Sequence, residues 1–187
     1  MYNKEYAGLR RRPFLTPVWL TALAGLLVIA LGIWLLSIAS TTTIIVMRHA
    51  EKAAAPPEDP PLSPAGEERA RSLAHFFGQA PAEFRIDGII VSEFRRTQET
   101  VRPLANRLGV PVIVVPAGDI ERTAERARED YRGGRVLIVG HSDTVPAIVE
   151  ELSGRKVPPI SETETGVVYI VALPRFSRAS VTRLDLP

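Results

Sequence analysis

Val18 to Ala39 is a run of 22 residues without a charge, rich in Leu, Ala, Ile and Trp. At ~1.5 Å per residue, a helix of that length spans roughly 33 Å, enough for the hydrocarbon core of a bilayer. A chain of 187 residues offers one ordinary domain, which has no room to surround an all-apolar helix. The run predicts one transmembrane helix or signal anchor over 18–39. It follows a basic leader over 1–17 and precedes a folded domain over 41–187. Trp19 and Trp34 lie toward its two ends, as interfacial aromatics do. Lys4 and Arg10 to Arg12 precede it, so the positive-inside rule puts the N-terminus in the cytoplasm. Everything after Ser40 is then expected on the extracytoplasmic, periplasmic side of the inner membrane. Ser37-Ile38-Ala39 also has small residues at signal-peptidase spacing, and Arg11-Arg12-Pro13-Phe14-Leu15 resembles a twin-arginine export signal. The length of the apolar run favours an uncleaved anchor.

Charge is unevenly placed. Residues 1–40 hold four basic residues against Glu5, while the rest holds 19 basic and 20 acidic residues. The basic pI belongs to the leader, and no basic stripe with interleaved aromatics marks the body as a nucleic-acid binder. Cysteine is absent, which excludes disulfides and thiolate metal sites. With three histidines (His49, His75, His141), a histidine-rich zinc site is not expected. No metal and no cofactor are called for.

The body alternates strands and helices. Thr43 to Met47 is an apolar, β-branched run that fits a strand buried on both faces, and it ends abruptly in Arg48 and His49. Gly88-Ile89-Ile90-Val91 is a second such run, followed by Ser92-Glu93-Phe94-Arg95-Arg96. Arg135 to Val139 is another, ending in Gly140-His141-Ser142-Asp143. A short strand over 112–115 precedes Pro116. The chain finishes in strands over 166–173 and 180–184. Between them, Ser63-Pro64 caps a helix reaching about Gly78, and Val101, Leu104, Ala105 and Leu108 mark the core face of a helix over 96–108. A charged helix spans 120–131 and a shorter one 145–152. Ala53 to Pro61 is a proline-rich loop. This order predicts a single three-layer α/β/α domain with a mostly parallel central sheet, preceded by one transmembrane helix. Ligands in such sheets bind outside the carboxyl ends of the strands, where Arg48, His49, Ser92 and His141 fall.

Each residue has an ordinary alternative. Arg96 could pair with Glu93 or Glu99 at a helix start, and His141 could be a packed corner histidine. His75 reads as a surface or packing residue. Taken together, Arg48-His49, Leu62-Ser63-Pro64-Ala65-Gly66, Ser92 to Thr100 and Gly140-His141-Ser142 resemble the histidine phosphatase superfamily, the phosphoglycerate mutase-like fold, over about Thr42 to Leu173. The resemblance implies His49 as nucleophile, forming a phosphohistidine, with Arg48 and Arg96 binding the phosphoryl oxygens. It implies Ser92 in the second phosphate-binding segment and His141 as the second histidine at the phosphoryl group. Arg95 is the adjacent competitor of Arg96. An imidazole nitrogen is a competent nucleophile at neutral pH, and the planar fork of arginine suits phosphate.

The general acid is left open among Asp119, Glu51, Glu93 and Asp143, in that order. The glutamate–glycine–aromatic pattern around the mutase-like acid is absent near Asp119. Asp143 stands one residue later than the acid-phosphatase branch places its aspartate. A short phosphohistidine-phosphatase-like branch, acting on a good leaving group, dispenses with a dedicated acid. Short connections between Val115 and Arg135 leave no room for a cap domain. That favours an open cleft for a phosphorylated protein, glycolipid or small molecule. The expected activity is a metal-independent phosphatase. The alternatives are a phosphoglycerate mutase-like phosphotransferase and a non-catalytic phosphate-binding module.

Overall fold

The computed structural model describes residues 18–39 and 41–185, with side chains over 18–36 and 41–185. The predicted leader over 1–17 lies outside the described residues. The chain forms two units that are best taken separately, dividing after Leu36. The first holds all but the last three residues of α1 (Val18–Ala39), a helix apolar on every side. Its window Val18–Leu36 has a mean hydropathy of 2.3 and none of it is buried. It is long and apolar enough to cross a membrane, as an anchor or as a signal sequence.

The second unit is built on a six-stranded sheet. Its strands are β1 (Thr42–Arg48), β2 (Gly88–Val91), β3 (Val112–Val114), β4 (Arg135–Gly140), β5 (Val167–Leu173) and β6 (Ser180–Asp185), in the order β3-β2-β4-β1-β5-β6. The first four in that order run parallel, and β5 and β6 add antiparallel on one side. The helices are α2 (Pro64–Gly78), α3 (Arg95–Leu108), α4 (Ile120–Glu129) and α5 (Thr144–Ser153). Side chains alternate across β1. Ile44 and Val46 join Val136, Ile138, Tyr169 and Val171 under α4 and α5, through Ala124, Ala127, Val145 and Val149. Met47 faces the other way, with Ile89, Val91, Leu137 and Val139, under Leu73 of α2 and Val101 and Leu104 of α3. The predicted three-layer α/β/α sandwich with a mostly parallel sheet is therefore what forms. A strand with apolar residues at every position can sit only where both faces are covered.

The differences from the expected elements are small and local. The helix predicted over 120–131 ends at Glu129, because the chain turns through residues 130–134 with Gly133 at φ 75°. The loop between α2 and β2 holds a 3-10 turn over Ala82–Phe84. The proline-rich loop is closed at its neck by the bridge of Lys52 with Leu62 and by the Ala53 N–H donating to the Pro61 carbonyl at 2.8 Å.

The first turn of α2 braces the loop after β1. Ser63 caps the helix by accepting from Gly66 N–H at 3.1 Å, and the Ser63 N–H donates to the Glu51 carbonyl at 2.8 Å. At Gly66 an added Cβ would stand 2.1 Å from the Glu51 carbonyl oxygen. That neighbour is backbone and cannot rotate away. We expect Gly66→Ala to lower unfolding stability by about 1–3 kcal/mol, as overpacking does. Urea denaturation of the full chain in detergent measures it, and an unchanged midpoint contradicts the close packing.

Candidate active site

The carboxyl ends of β1 and β4 lie side by side. Arg48 is paired with Gly140, and the His49 N–H donates to the Gly140 carbonyl at 2.9 Å. The two residues that follow these strands, His49 and His141, thus meet with ring centroids 5.3 Å apart. His141 turns the corner into α5, its N–H donating to Thr144 Oγ1 at 2.9 Å and its carbonyl accepting from Val145 N–H at 3.0 Å. Both imidazoles are buried, at 4 % and 8 % exposure.

A hydrogen bond to a carbonyl fixes the proton of His49. His49 Nδ1 is 2.6 Å from the Ala50 carbonyl. A carbonyl can only accept, so Nδ1 carries the proton and Nε2 of the neutral ring keeps its lone pair. Behind His141 two hydroxyls hold the ring. Thr97 Oγ1 lies 2.8 Å from the Phe94 carbonyl, 3.1 Å from the Ser92 carbonyl and 2.9 Å from Ser92 Oγ. Ser92 Oγ is in turn 2.9 Å from His141 Nε2, a hydrogen bond that either group can donate.

Burial sets the charge of both rings. His49 is pushed down to about 4, first by desolvation, with the Ala50 carbonyl opposing and His141, Arg48 and Arg96 adding to the fall. His141 is also pushed down to about 4, first by desolvation and then by Arg96, against the carboxylates of Asp143 and Glu93. Both rings are therefore neutral at pH 7.

Two guanidinium groups face these histidines. Arg48 is only 5 % exposed and donates through Nη1 to the carbonyls of Ser161 at 3.2 Å and Glu162 at 2.5 Å, which ties the 161–165 loop to the strand end. Desolvation lowers its pKa, against the carboxylates of Glu162 and Glu51. Arg96 lies over the Phe94 ring at 4.3 Å, and the Asp59 carboxylate is 3.9 Å away. The Nε atoms of Arg48 and Arg96 are both buried without a hydrogen-bond partner among the described residues. Unpartnered guanidinium nitrogens beside a lone-pair imidazole form a setting that an oxyanion would satisfy. They border an open cleft of about 460 Å³ with Lys52, Phe94, Asp143 and Glu162.

Of the residues singled out in the sequence, Arg48, His49, Arg96 and His141 are brought together at the cleft. Ser92 sits behind His141. Glu51 does not line the cleft. Its Oε1 accepts from Arg69 Nε at 2.9 Å and from Thr165 Oγ1 at 3.1 Å. Burial alone would raise the Glu51 carboxyl, but hydrogen bonds from its own N–H and from Arg69 leave it lowered. Asp119 is the N-cap of α4, accepting from Arg122 N–H at 3.2 Å, and does not line the cleft. Glu93 accepts from Ala117 N–H at 2.7 Å. Asp143 lines the cleft and caps α5. Arg95 turns away to pair with Glu99 at 3.1 Å. Sequence reasoning missed Thr97, Lys52 and Glu162. Thr97 follows Arg96 directly, but only its full burial shows that its hydroxyl orients Ser92. Glu162 comes from a loop far along the chain with no motif around it. Among the described residues no group of three or more His, Cys, Asp or Glu side chains could hold a metal.

Residues 44–117 match the family model of the histidine phosphatase superfamily, branch 1. Solved structures share the fold across the domain. The protein histidine phosphatase SixA complexed with tungstate is 23% identical, with 76% of this chain and 96% of that chain covered and a TM-score of 0.62. A mycobacterial glucosyl-3-phosphoglycerate phosphatase is 15% identical, with 79% and 100% covered and a TM-score of 0.57. YhfR of Bacillus stearothermophilus is 16% identical, with 78% and 98% covered and a TM-score of 0.62. No curated protein matches the sequence. The family-model match thus covers the first part of the domain, and the solved structures share its fold.

The neutral histidines make a pH prediction. In the unfolded chain both titrate near the ordinary ~6.5, so their stabilising contribution is fully present above that pH. It declines as the unfolded state takes up protons between about 6.5 and about 4. Urea midpoints should fall from pH 7 to pH 5, and by less in a His49→Asn/His141→Asn double variant. An equal fall in both proteins contradicts neutral burial.

Proposed function

We propose that this protein is a membrane-tethered, extracytoplasmic phosphatase that hydrolyses a phosphomonoester or phosphohistidine through a phosphohistidine on His49. The observation that carries this is the meeting of an unprotonated His49 Nε2 with two buried, unpartnered guanidinium nitrogens at one strand edge. In the first step the Nε2 lone pair attacks phosphorus as the bond to the leaving atom breaks. The phosphoryl oxygens are held by Arg48 and Arg96, whose donors are already in place and need no reorganisation. His141 takes up a proton from solvent as the phosphate dianion arrives and keeps it, hydrogen-bonding an equatorial oxygen, while Ser92 and Thr97 hold the ring through Nε2. In the second step water attacks the phosphohistidine, the P–N bond breaks, His49 Nε2 recovers its lone pair, and the water's protons leave on the product phosphate or pass to solvent.

The leaving atom's proton bears on the substrate. Asp143 and Glu162 line the cleft, whereas Asp119 is committed to capping α4 and Glu51 to Arg69 and Thr165. With Asp119 and Glu51 both committed elsewhere, leaving groups that depart easily are favoured: the imidazole of a phosphohistidine, or an aryl oxygen. The open cleft and short connections count against mutase chemistry, which must retain a small sugar acid between two transfers. A binding module without turnover differs from a phosphatase only in releasing no phosphate.

Release of phosphate from p-nitrophenyl phosphate by the full chain in detergent should persist in chelator, because the cations of the site are arginines. It should vanish in His49→Ala. Arg96→Lys should lower kcat/KM by roughly 10- to 100-fold through loss of the planar fork. Release that survives His49→Ala would overturn the nucleophile. Well-folded protein that releases phosphate from neither an aryl phosphate nor phosphohistidine would mark a binding module. Export rests on the apolar helix and the basic residues before it. A reporter that functions only outside the cytoplasm, fused after Pro187, should be active. Activity of a cytoplasm-only reporter there would reverse the topology.

A further inference from the structure

We infer that the pole of the domain opposite the cleft is a binding face for anionic phospholipid, and that it holds the cleft away from the bilayer. The inference rests on the membrane tether proposed above and adds a headgroup site and a direction.

Covalent reach supplies the first constraint. The apolar helix ends at Ala39 and β1 begins at Thr42. Three Cα–Cα steps of ~3.8 Å cover at most about 11 Å. The amino end of β1 therefore stays close to whatever surface the helix leaves. In a parallel sheet that end is the pole opposite the site.

The chemistry of that pole supplies the second. A cavity of about 540 Å³ opens there, lined by Thr42, Arg128, Arg132, Gly133, Leu173 and Arg175. Its lining has three guanidinium groups and no carboxylate. Thr42 Oγ1 accepts from Gly133 N–H at 2.9 Å, and Thr42 pairs with Leu173 across β1 and β5, so the floor is rigid backbone. Arg128 is shared with Glu151 at 3.6 Å. Arg132 and Arg175 are exposed and make no ion pair among the described residues. With Arg128 already paired to Glu151, Arg132 and Arg175 are the two cations of the lining without a carboxylate among the described residues, and a phosphodiester offers two oxygens to a guanidinium fork. Beside the cavity, the turn from β5 to β6 carries Phe176, 68 % exposed, with the Arg175 guanidinium 5.5 Å from its ring centre. Arg178 follows in the same turn. An exposed aromatic set among arginines is the composition that seats at a headgroup boundary. A soluble phosphometabolite would satisfy the arginines but gives no reason for the exposed phenyl ring.

The direction has a consequence for the substrate. From Thr42 to Arg48 the strand rises about 20 Å, at ~3.3 Å per residue. With the basic pole on the lipid, His49 stands about that far from the headgroups. The phosphate acted on is then carried by a soluble molecule or by a protein, and not by a lipid headgroup of the same leaflet.

The chain has no cysteine, so single-cysteine labelling is clean. Full chains carrying Phe176→Cys at the basic pole or Glu58→Cys beside the cleft are labelled with an environment-sensitive dye. Each is reconstituted in phosphatidylcholine vesicles, with or without phosphatidylglycerol, containing a headgroup-level spin-labelled lipid quencher. Co-flotation with the vesicles in alkaline carbonate tests the tether separately. The expected result is flotation throughout, with quenching at 176 severalfold stronger than at 58. Phosphatidylglycerol should strengthen it, and Arg128→Gln/Arg132→Gln/Arg175→Gln or high salt should weaken it. Flotation with equal quenching at both positions, or quenching indifferent to phosphatidylglycerol and to the arginines, overturns the docking face and leaves the tether standing. Failure to float overturns the tether and the inference with it.

Discussion

The site depends on the parallel pairing of β1 with β4. That ladder runs from Thr43 opposite Arg135 to Arg48 opposite Gly140, and one further hydrogen bond, from the His49 N–H to the Gly140 carbonyl, carries it past the strand end. Two histidines separated by most of the domain's length thereby come within 5.3 Å between ring centres. A one-residue slip of this register would turn Arg48 and His49 to opposite faces. It would also send the alternating apolar residues of β1 to the wrong layers. Core packing and site geometry are therefore specified by the same ladder. Ile44 and Val46 hold the register on one face, and Met47 holds it on the other.

Burial does the electrostatic work. A neutral imidazole and two charged guanidinium groups share a region poor in water, where the rings are kept unprotonated and the arginines keep unsatisfied donors. The hydroxyls of Thr97 and Ser92 hold the His141 ring through Nε2, without a carboxylate to orient it. Glu51, which sits one turn of chain from His49, braces Arg69 and Thr165 and through them the loop carrying Glu162. The carbonyl of that loop's Glu162 in turn engages Arg48. The loop between α5 and β5 is thereby coupled to Arg48.

Much of the sandwich was legible along the chain, since strands buried on both faces must be apolar at every position, as 44–47, 88–91 and 136–139 are. Helix starts were legible where a side chain caps them, as Ser63 does. Ends were less so. The charged helix over 120–131 stops at Glu129, because the turn needs Gly133 at positive φ, and nothing in the amphipathic pattern marks the last two residues as leaving it. Carboxylates were the hardest to place. Asp119, Glu51, Glu93 and Asp143 are equivalent as letters, and only their partners separate a cap, a brace and a cleft residue.

By itself the sequence determined the apolar span, the alternation of strands and helices, and which residue types stand at the carboxyl ends of the strands. Those are properties of local composition and period, which need no knowledge of neighbours. Tertiary structure alone decided the order β3-β2-β4-β1-β5-β6, the tautomer of His49, the unpartnered nitrogens of Arg48 and Arg96, and the gathering of Arg128, Arg132 and Arg175 at the far pole. Each of these is a relation between residues distant in sequence. Protonation and charge in a buried site follow from what lies across the gap, which no stretch of chain records.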